Sequence, residues 1–196
     1  GHGRDLAQRH GFTFSGGMTT NGYLLTEQRL RQLHALNHNT YQITLDGLAE
    51  THDATRRLAN GRGTFEVIWR NLLVMRDLDL DLHVKLTIHV TPANKDVLPL
   101  LLRKINDELS GSGKFGIHFH RVSDLGGPGG AQVDELGWEE YGRLLSEFGP
   151  AAGVPASSEH ELAEQGYICY AAKPNSLLVR ADGRIGKCTV ALNDPR

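Results

Sequence analysis

The chain has 196 residues, of which 39% are hydrophobic and 22% are charged, and its formal net charge is −2 at pH 7. A chain of this length can bury a hydrophobic core, and the lack of a basic patch argues against nucleic acid as a partner. No apolar run approaches the roughly 20 residues that a membrane-spanning helix needs, and the opening GHGRDLAQRHG matches neither a signal peptide nor a transit sequence. We therefore expect a cytoplasmic protein without a membrane partner.

Four stretches alternate apolar and polar residues, which is the side-chain period of a β-strand whose two faces differ. They lie at residues 12–15, 41–47, 83–90 and 114–122, and the first of them runs on to residue 20. The polar positions, which share one face of the predicted sheet, are Thr13, Ser15, Gln42, Thr44, Asp46, Lys85, Thr87, His89, His118 and His120.

Between these strands, hydrophobic residues recur every three or four positions, which predicts amphipathic helices at residues 26–37, 63–78 and 94–109. Thr64 and Asp96 are predicted to cap the second and third of these helices. Strands that alternate with helices form βαβ units, whose right-handed crossovers make neighbouring strands parallel.

The helices are expected on one face of the sheet only, because strands covered on both faces read as nearly continuous runs of Val, Ile and Leu. We therefore predict an α/β fold: a partial (β/α) barrel of parallel strands with outer helices and a polar hollow. Unpaired polar side chains in a dry core would each cost on the order of 1 to 3 kcal/mol, so water or a ligand should fill the hollow. An open sheet whose polar face meets solvent is the alternative.

The sequence changes character after residue 122. A glycine-rich loop, SDLGGPGGAQ, precedes a candidate helix at residues 137–149 and a linker, PAAGVPASS. The later stretch SLLVRADGRIGKC predicts a β-hairpin that turns at Asp182 and Gly183. We therefore divide the chain into a partial barrel at residues 1–150 and a linker with a small hairpin region at residues 151–196.

Four motifs follow one another along the first part of the chain: TTNG, ITLDG, HDATR and GRGTF, with Asn94 after the next strand. This ordered series resembles the radical S-adenosylmethionine (SAM) enzymes that carry a C-terminal SPASM extension, of the anaerobic sulfatase-maturating type. The resemblance implies that Arg56 binds the carboxylate of S-adenosylmethionine (AdoMet) through two parallel hydrogen bonds. It also implies that four residues at strand ends lie beside AdoMet: Thr20, Asn21, Thr44 and Asp46.

The two cysteines of the chain, Cys169 and Cys188, flank the predicted hairpin in a stretch that resembles the opening of SPASM. The resemblance implies that they are the first ligands of an auxiliary iron-sulfur cluster, which usually needs four thiolates. From the residues alone, two buried, reduced thiols of a cytosolic protein are the commoner outcome.

SPASM-bearing relatives mostly modify a peptide or protein substrate, from which a 5′-deoxyadenosyl radical abstracts hydrogen. The resemblance therefore implies AdoMet and 4Fe-4S clusters as cofactors, and a peptide or protein as the partner. The C-x-x-x-C-x-x-C loop that holds the AdoMet-cleaving cluster is missing from this sequence, so we expect a portion of a longer enzyme that is inactive as it stands. The residues expected to line the hollow around the substrate are Lys85, Thr87, His89, His118 and His120.

Two other functions stay open. His118 and His120 form an H-x-H pair on one strand face, with His89 near it, which resembles the ligand set of a metal-dependent hydrolase. The other alternative is a non-catalytic scaffold that binds a peptide or a nucleotide.

The first strand has no predicted neighbour on its upstream side. Its unpaired N–H and C=O groups would form a free sheet edge that can pair with another copy. We therefore expect self-association through this edge.

Overall fold

The computed structural model describes residues 2–123, 134–153, 155–158, 166, 168–180 and 182–188. Its α-helices are His2–Arg9 (α1), Glu27–His34 (α2), Ala49–Thr55 (α3), Phe65–Asp77 (α4), Leu98–Leu109 (α5) and Trp138–Ala151 (α6). Its strands are Gly16–Thr20 (β1), His38–Leu45 (β2), His83–Val90 (β3), Phe115–Arg121 (β4), Ala156–Ser158 (β5), Leu178–Val179 (β6) and Ile185–Gly186 (β7).

Strands β1 to β5 form a single sheet in sequential order, and each neighbouring pair is parallel. With helices along the outside of this sheet, the chain has the α/β fold that was predicted, a partial (β/α) barrel. Strand β1 lies at one edge of the sheet, so the described residues leave one of its sides unpaired.

Two strand predictions need correction. Residues 12–15 are not part of a strand, since β1 begins at Gly16. Phe12 is 72% exposed and so does not belong to the core. Strand β5 lies inside the predicted linker, where its three residues extend the sheet beside β4. The division of the chain near residue 150 stays a prediction.

One face of the sheet, the outer face, carries the hydrophobic core. The apolar residues predicted for β2, β3 and β4 are at most 3% exposed, and the same cluster includes Leu30 of α2, Leu72 of α4, Ile105 of α5 and Phe148 of α6. These strand residues are Tyr41, Ile43, Leu45, Val84, Leu86, Ile88, Val90, Phe115, Ile117 and Phe119.

The opposite face, the inner face, carries the polar half of the alternation. The parallel register aligns these residues in rows across the strands. One row consists of Thr19, Gln42, Lys85 and Gly116, and the next of Thr44, Thr87, His118 and Ser157. In a third row His89 lies beside His120.

Of the two predicted N-cap residues, one lies at the predicted position and one does not. Thr64 occupies the N-cap position of α4, although its own side chain makes no capping hydrogen bond. The N-cap position of α5 belongs to Val97, so the prediction for Asp96 is wrong.

The predicted hairpin is present as the antiparallel pair of β6 and β7. Gly183 has a φ of 83°, a backbone conformation that glycine adopts without the steric penalty other residues meet. Among the described residues, no helix is both long enough and apolar enough to span a membrane.

Candidate functional site

A cavity of about 740 Å³ lies at the carboxyl ends of β2 and β3, between α3 and the loop that follows β3. Because parallel strands end at the same edge, this edge brings together side chains that are distant in sequence. Asp46 directly follows β2, and His89 is the penultimate residue of β3. Arg56 and Asn94 also line the cavity.

Asp46, Arg56 and His89 form a hydrogen-bonded cluster, which we call the rim cluster. Arg56 donates from Nε to Asp46 Oδ2 at 2.5 Å and from Nη2 to Oδ1 at 3.4 Å. His89 Nδ1 lies 3.2 Å from Asp46 Oδ1 and 3.3 Å from Arg56 Nη2. An ionised carboxylate only accepts hydrogen bonds, so the Asp46–His89 contact is a hydrogen bond when Nδ1 carries the ring proton.

The cluster keeps Asp46 ionised. Burial by itself would raise the pKa of Asp46, but hydrogen bonds from His89 and Arg56, together with the guanidinium charge, lower it to about 2. The side chain of Asp46 is only 14% exposed, whereas that of Arg56 is 34% exposed. The rim therefore presents a fixed carboxylate and a partly accessible guanidinium to the cavity.

Two buried residues hold the backbone at this rim. The Asn94 side-chain amide donates to the carbonyl oxygens of Asp46 at 2.9 Å and His89 at 2.8 Å, and its own oxygen accepts from the N–H of Thr91. Asn94 thereby joins the ends of β2 and β3. The Asp46 N–H donates to Nδ1 of His52, which is fully buried and whose pKa burial lowers.

The HDATR and GRGTF motifs meet in a second network. Asp53 Oδ1 accepts the N–H groups of Thr64 at 2.8 Å and Phe65 at 3.0 Å, so a residue from α3 caps α4. The Thr64 hydroxyl donates to the Arg56 carbonyl at 2.7 Å, which fixes the backbone that carries the guanidinium. A Cβ at Gly63 would lie 2.0 Å from Asp53 Oδ2, so any other residue here would displace the Asp53 carboxylate.

The other predicted AdoMet contacts lie at or near the same edge. Thr20 ends β1 and pairs with the buried Ile43, and its hydroxyl accepts the Gly22 N–H at 3.2 Å. Asn21 accepts the Tyr23 N–H at 3.1 Å, so both side chains serve a local turn. Thr44 is half-buried on the inner face, one row from the rim cluster.

The residues predicted to line the hollow all lie on the inner face. His118 and Thr87 are buried, at 8% and 5% exposure, whereas Lys85 is exposed. His118 Nδ1 lies 3.1 Å from the Ser157 hydroxyl, and burial, followed by the Lys85 charge, lowers the pKa of His118 to about 4. Burial and the neighbouring His89 also lower the pKa of His120.

Cys169 is exposed and Cys188 is half-buried, and both are free thiols. Two thiolates are half of what an iron-sulfur cluster usually takes. Across the described ranges, no three His, Cys, Asp or Glu side chains are grouped closely enough to hold a metal ion.

Sequence reasoning assigned no role to Asn94 or Asp53, although both belong to the motifs that carry the resemblance. The sequence could have indicated the role of Asp53, because its motif HDATR is followed by the glycine-rich start of the next helix. The ion pair between Asp46 and Arg56 was also missed, since both residues were assigned to the ligand.

No family model and no curated protein match this sequence. Solved structures of anSMEcpe, an anaerobic sulfatase-maturating radical SAM enzyme, do match the fold. Native anSMEcpe with bound AdoMet aligns with a TM-score of 0.65 and 16% sequence identity, over 97% of this chain and 56% of that chain. A tagged form with bound AdoMet gives a TM-score of 0.67 at 16% identity, over 97% of this chain and 52% of that chain.

A third structure, native anSMEcpe with bound AdoMet and the Kp18Cys peptide, gives a TM-score of 0.63 at 16% identity, over 97% of this chain and 56% of that chain. The present chain thus spans little more than half the length of the solved proteins that it matches. At this level of identity the comparisons show a shared fold alone.

Proposed function

We propose that this chain is the part of a radical SAM enzyme that binds AdoMet at the strand-end cavity and faces a peptide or protein substrate with its inner face. The observation that carries the proposal is the rim cluster of Asp46, Arg56 and His89 on a cavity of about 740 Å³. Support also comes from the shared fold with structures that hold AdoMet and, in two cases, a peptide as well.

The residues at the rim fit the amino-acid end of AdoMet. The cavity lies within the roughly 300 to 1,000 Å³ typical of small-molecule sites. Arg56 directs Nε and Nη2 toward Asp46, and its Nη1 makes no hydrogen bond with the described residues. The bidentate partner of Arg56 in this structure is Asp46, so we assign a single charge-assisted bond, from Nη1, to the AdoMet carboxylate.

The residues of this chain do not fit the cluster that cleaves AdoMet. The sequence holds two cysteines, Cys169 and Cys188, and neither belongs to a C-x-x-x-C-x-x-C loop. In radical SAM enzymes the cluster and AdoMet together supply hydrogen abstraction from the substrate. The role proposed for this chain is therefore binding and orientation, and we propose Cys169 and Cys188 as a partial ligand set of a SPASM-type cluster.

Calorimetric titration with AdoMet tests the proposal. Removing a charge-assisted hydrogen bond costs about 1.5 to 3 kcal/mol, so Arg56→Gln should weaken AdoMet binding about tenfold or more. Arg62→Gln is the matched control, because Arg62 is an exposed arginine of the neighbouring loop whose guanidinium makes no bond with the described residues.

Titration with decarboxylated AdoMet tests whether Arg56 binds the carboxylate of AdoMet. If Arg56 holds the carboxylate, wild type and Arg56→Gln should bind this analogue equally well. Equal losses for Arg56→Gln and Arg62→Gln, or no AdoMet binding by the wild type, would contradict the proposal.

A further inference from the structure

A second candidate site lies on the inner face, away from the strand-end cavity. Two depressions meet at Lys85: one of about 470 Å³, lined also by Gly116 and Ser157, and one of about 240 Å³, lined also by Thr19 and Gln42. Lys85 is exposed at this junction. Its side chain therefore lies where the two depressions join, on an open surface that we call the Lys85 subsite.

The charge of Lys85 is not neutralised by the described residues. The described strands β1 to β5 contain no acidic residue, and Asp46, which directly follows β2, pairs with Arg56. Lys85 itself forms no hydrogen bond or ion pair with a described residue. Burial holds the neighbouring His118 neutral at pH 7, with a pKa of about 4. Lys114 also lines the larger depression, but its ammonium group donates to the carbonyl oxygens of Met75, Arg76 and Leu78, so Lys85 is the ammonium group there without a described partner.

The register leaves room for a ligand beside this ammonium group. Lys85 pairs with Gln42 on one side and with Gly116 on the other. Gly116 has no side chain, and a Cβ there would meet the Pro155 carbonyl oxygen at 3.2 Å and no other atom within 4 Å. Strands lie about 4.8 Å apart, so a group above Gly116 is within reach of both Lys85 and the Ser157 row.

We propose that the Lys85 subsite binds the carboxylate of an acidic side chain of the peptide substrate, an inference that rests on the proposed function. An unpaired ammonium flanked by an amide and a hydroxyl selects an anion that accepts several hydrogen bonds. Lys85 and His89 are four residues apart on β3, which corresponds to about 13 Å at roughly 3.3 Å per residue.

The distance between Lys85 and His89 determines where an acidic residue must lie in the substrate sequence. An extended peptide covers about 13 Å with roughly four residues. The Lys85 side chain can itself lean toward the rim, so an acidic residue about two to four positions from the residue to be modified fits the inner face.

The test is a titration of the isotope-labelled chain with two capped peptides, Glu-Ala-Ala-Ala-Cys-Ala and its counterpart with Gln in place of Glu, followed by NMR. The Glu peptide should shift the amide resonances of Lys85 and Gly116. It should also bind about fivefold more tightly than the Gln peptide, because an exposed ion pair contributes up to about 1 kcal/mol.

Lys85→Gln should abolish the preference for Glu. Lys104→Gln, which removes the same charge from the outer helix α5, should preserve it. A preference that persists in Lys85→Gln, equal losses in both variants, or no peptide binding by the wild type would overturn the inference.

A capped glutamate offered alone distinguishes a peptide site from a simple carboxylate site. The inference requires this small molecule to bind much more weakly than the Glu peptide, and equal binding would overturn the assignment to a peptide. The AdoMet titration of the wild type is a separate readout, so failure at the rim and failure at the Lys85 subsite are distinguishable.

Discussion

The two faces of the same three strands differ in how completely their side chains are satisfied. On the outer face, Leu86 and its neighbours are packed by helices and excluded from solvent. On the inner face, the polar residues form bonds where the strands end, at Asp46 and His89, but Lys85 remains without a partner in the described chain. The outer face therefore carries the stability of the fold, and the inner face is available for ligands.

The strongest test of this contrast replaces adjacent residues on opposite faces. Leu86→Ala should lower the free energy of unfolding by about 2 to 5 kcal/mol, because it opens a cavity in a fully buried core. Lys85→Ala should change it by no more than about 0.5 kcal/mol, since the side chain is exposed. Urea unfolding measures both, and similar losses for the two variants would show that the faces do not differ as described.

The rim cluster should make stability depend on pH at the acidic end. The folded pKa of Asp46 is about 2, below its ordinary value of 3.8, so the stabilisation is present above pH 3.8 and is lost as the pH falls toward 2. The loss amounts to about 2 kcal/mol. It should appear as a difference in unfolding free energy between wild type and Asp46→Asn that shrinks over this range. A difference that stays constant from pH 5 to pH 2 would show that Asp46 is not held by His89 and Arg56.

A smaller effect is expected where the two motifs meet. Asp53→Ala removes the acceptor for the N–H groups of Thr64 and Phe65, and loss of such a cap costs about 1 to 2 kcal/mol. Asp107→Ala, at an exposed position of α5, should stay within about 0.5 kcal/mol of the wild type. If both variants unfold at the same urea concentration, Asp53 does not cap α4.

The smallest effect concerns the edge of the sheet. We propose that β1 pairs weakly with another copy of the chain, because the described residues leave one of its sides open. Light scattering should show a mass that rises with protein concentration. Thr19→Lys, which places a charge on this exposed edge, should reduce that rise. A clean monomer at high concentration would contradict the pairing.

Most of the fold could be predicted from the alternation of apolar and polar residues along the strands. Strand β3 lies at residues 83–90 as predicted. Val84, Leu86 and Ile88 are buried on its outer face, whereas Lys85 and His89 lie on the opposite face and are not buried. Short elements carry no such signal: β5 has three residues, and β1 begins with two glycines. The alternation at residues 12–15 wrongly predicted a strand, since Phe12 does not pack against the core.

The residues of the site could be predicted only in part. Motifs singled out Asp46 and Arg56, which the structure brings to the same edge of the sheet, but they did not show that the two side chains bind each other. That contact depends on where α3 turns back toward the strand. The bridge that Asn94 makes between two strand ends joins residues 48 positions apart, and no local pattern in the sequence encodes it.

The most direct measurement is an NMR titration of the isotope-labelled chain with AdoMet. If the strand ends form the ligand site, amide resonances around Asp46, Arg56 and His89 should shift in a saturable way, while those of the outer helices α4 and α5 stay in place. Shifts confined to the helices, or none at the rim, would contradict the account.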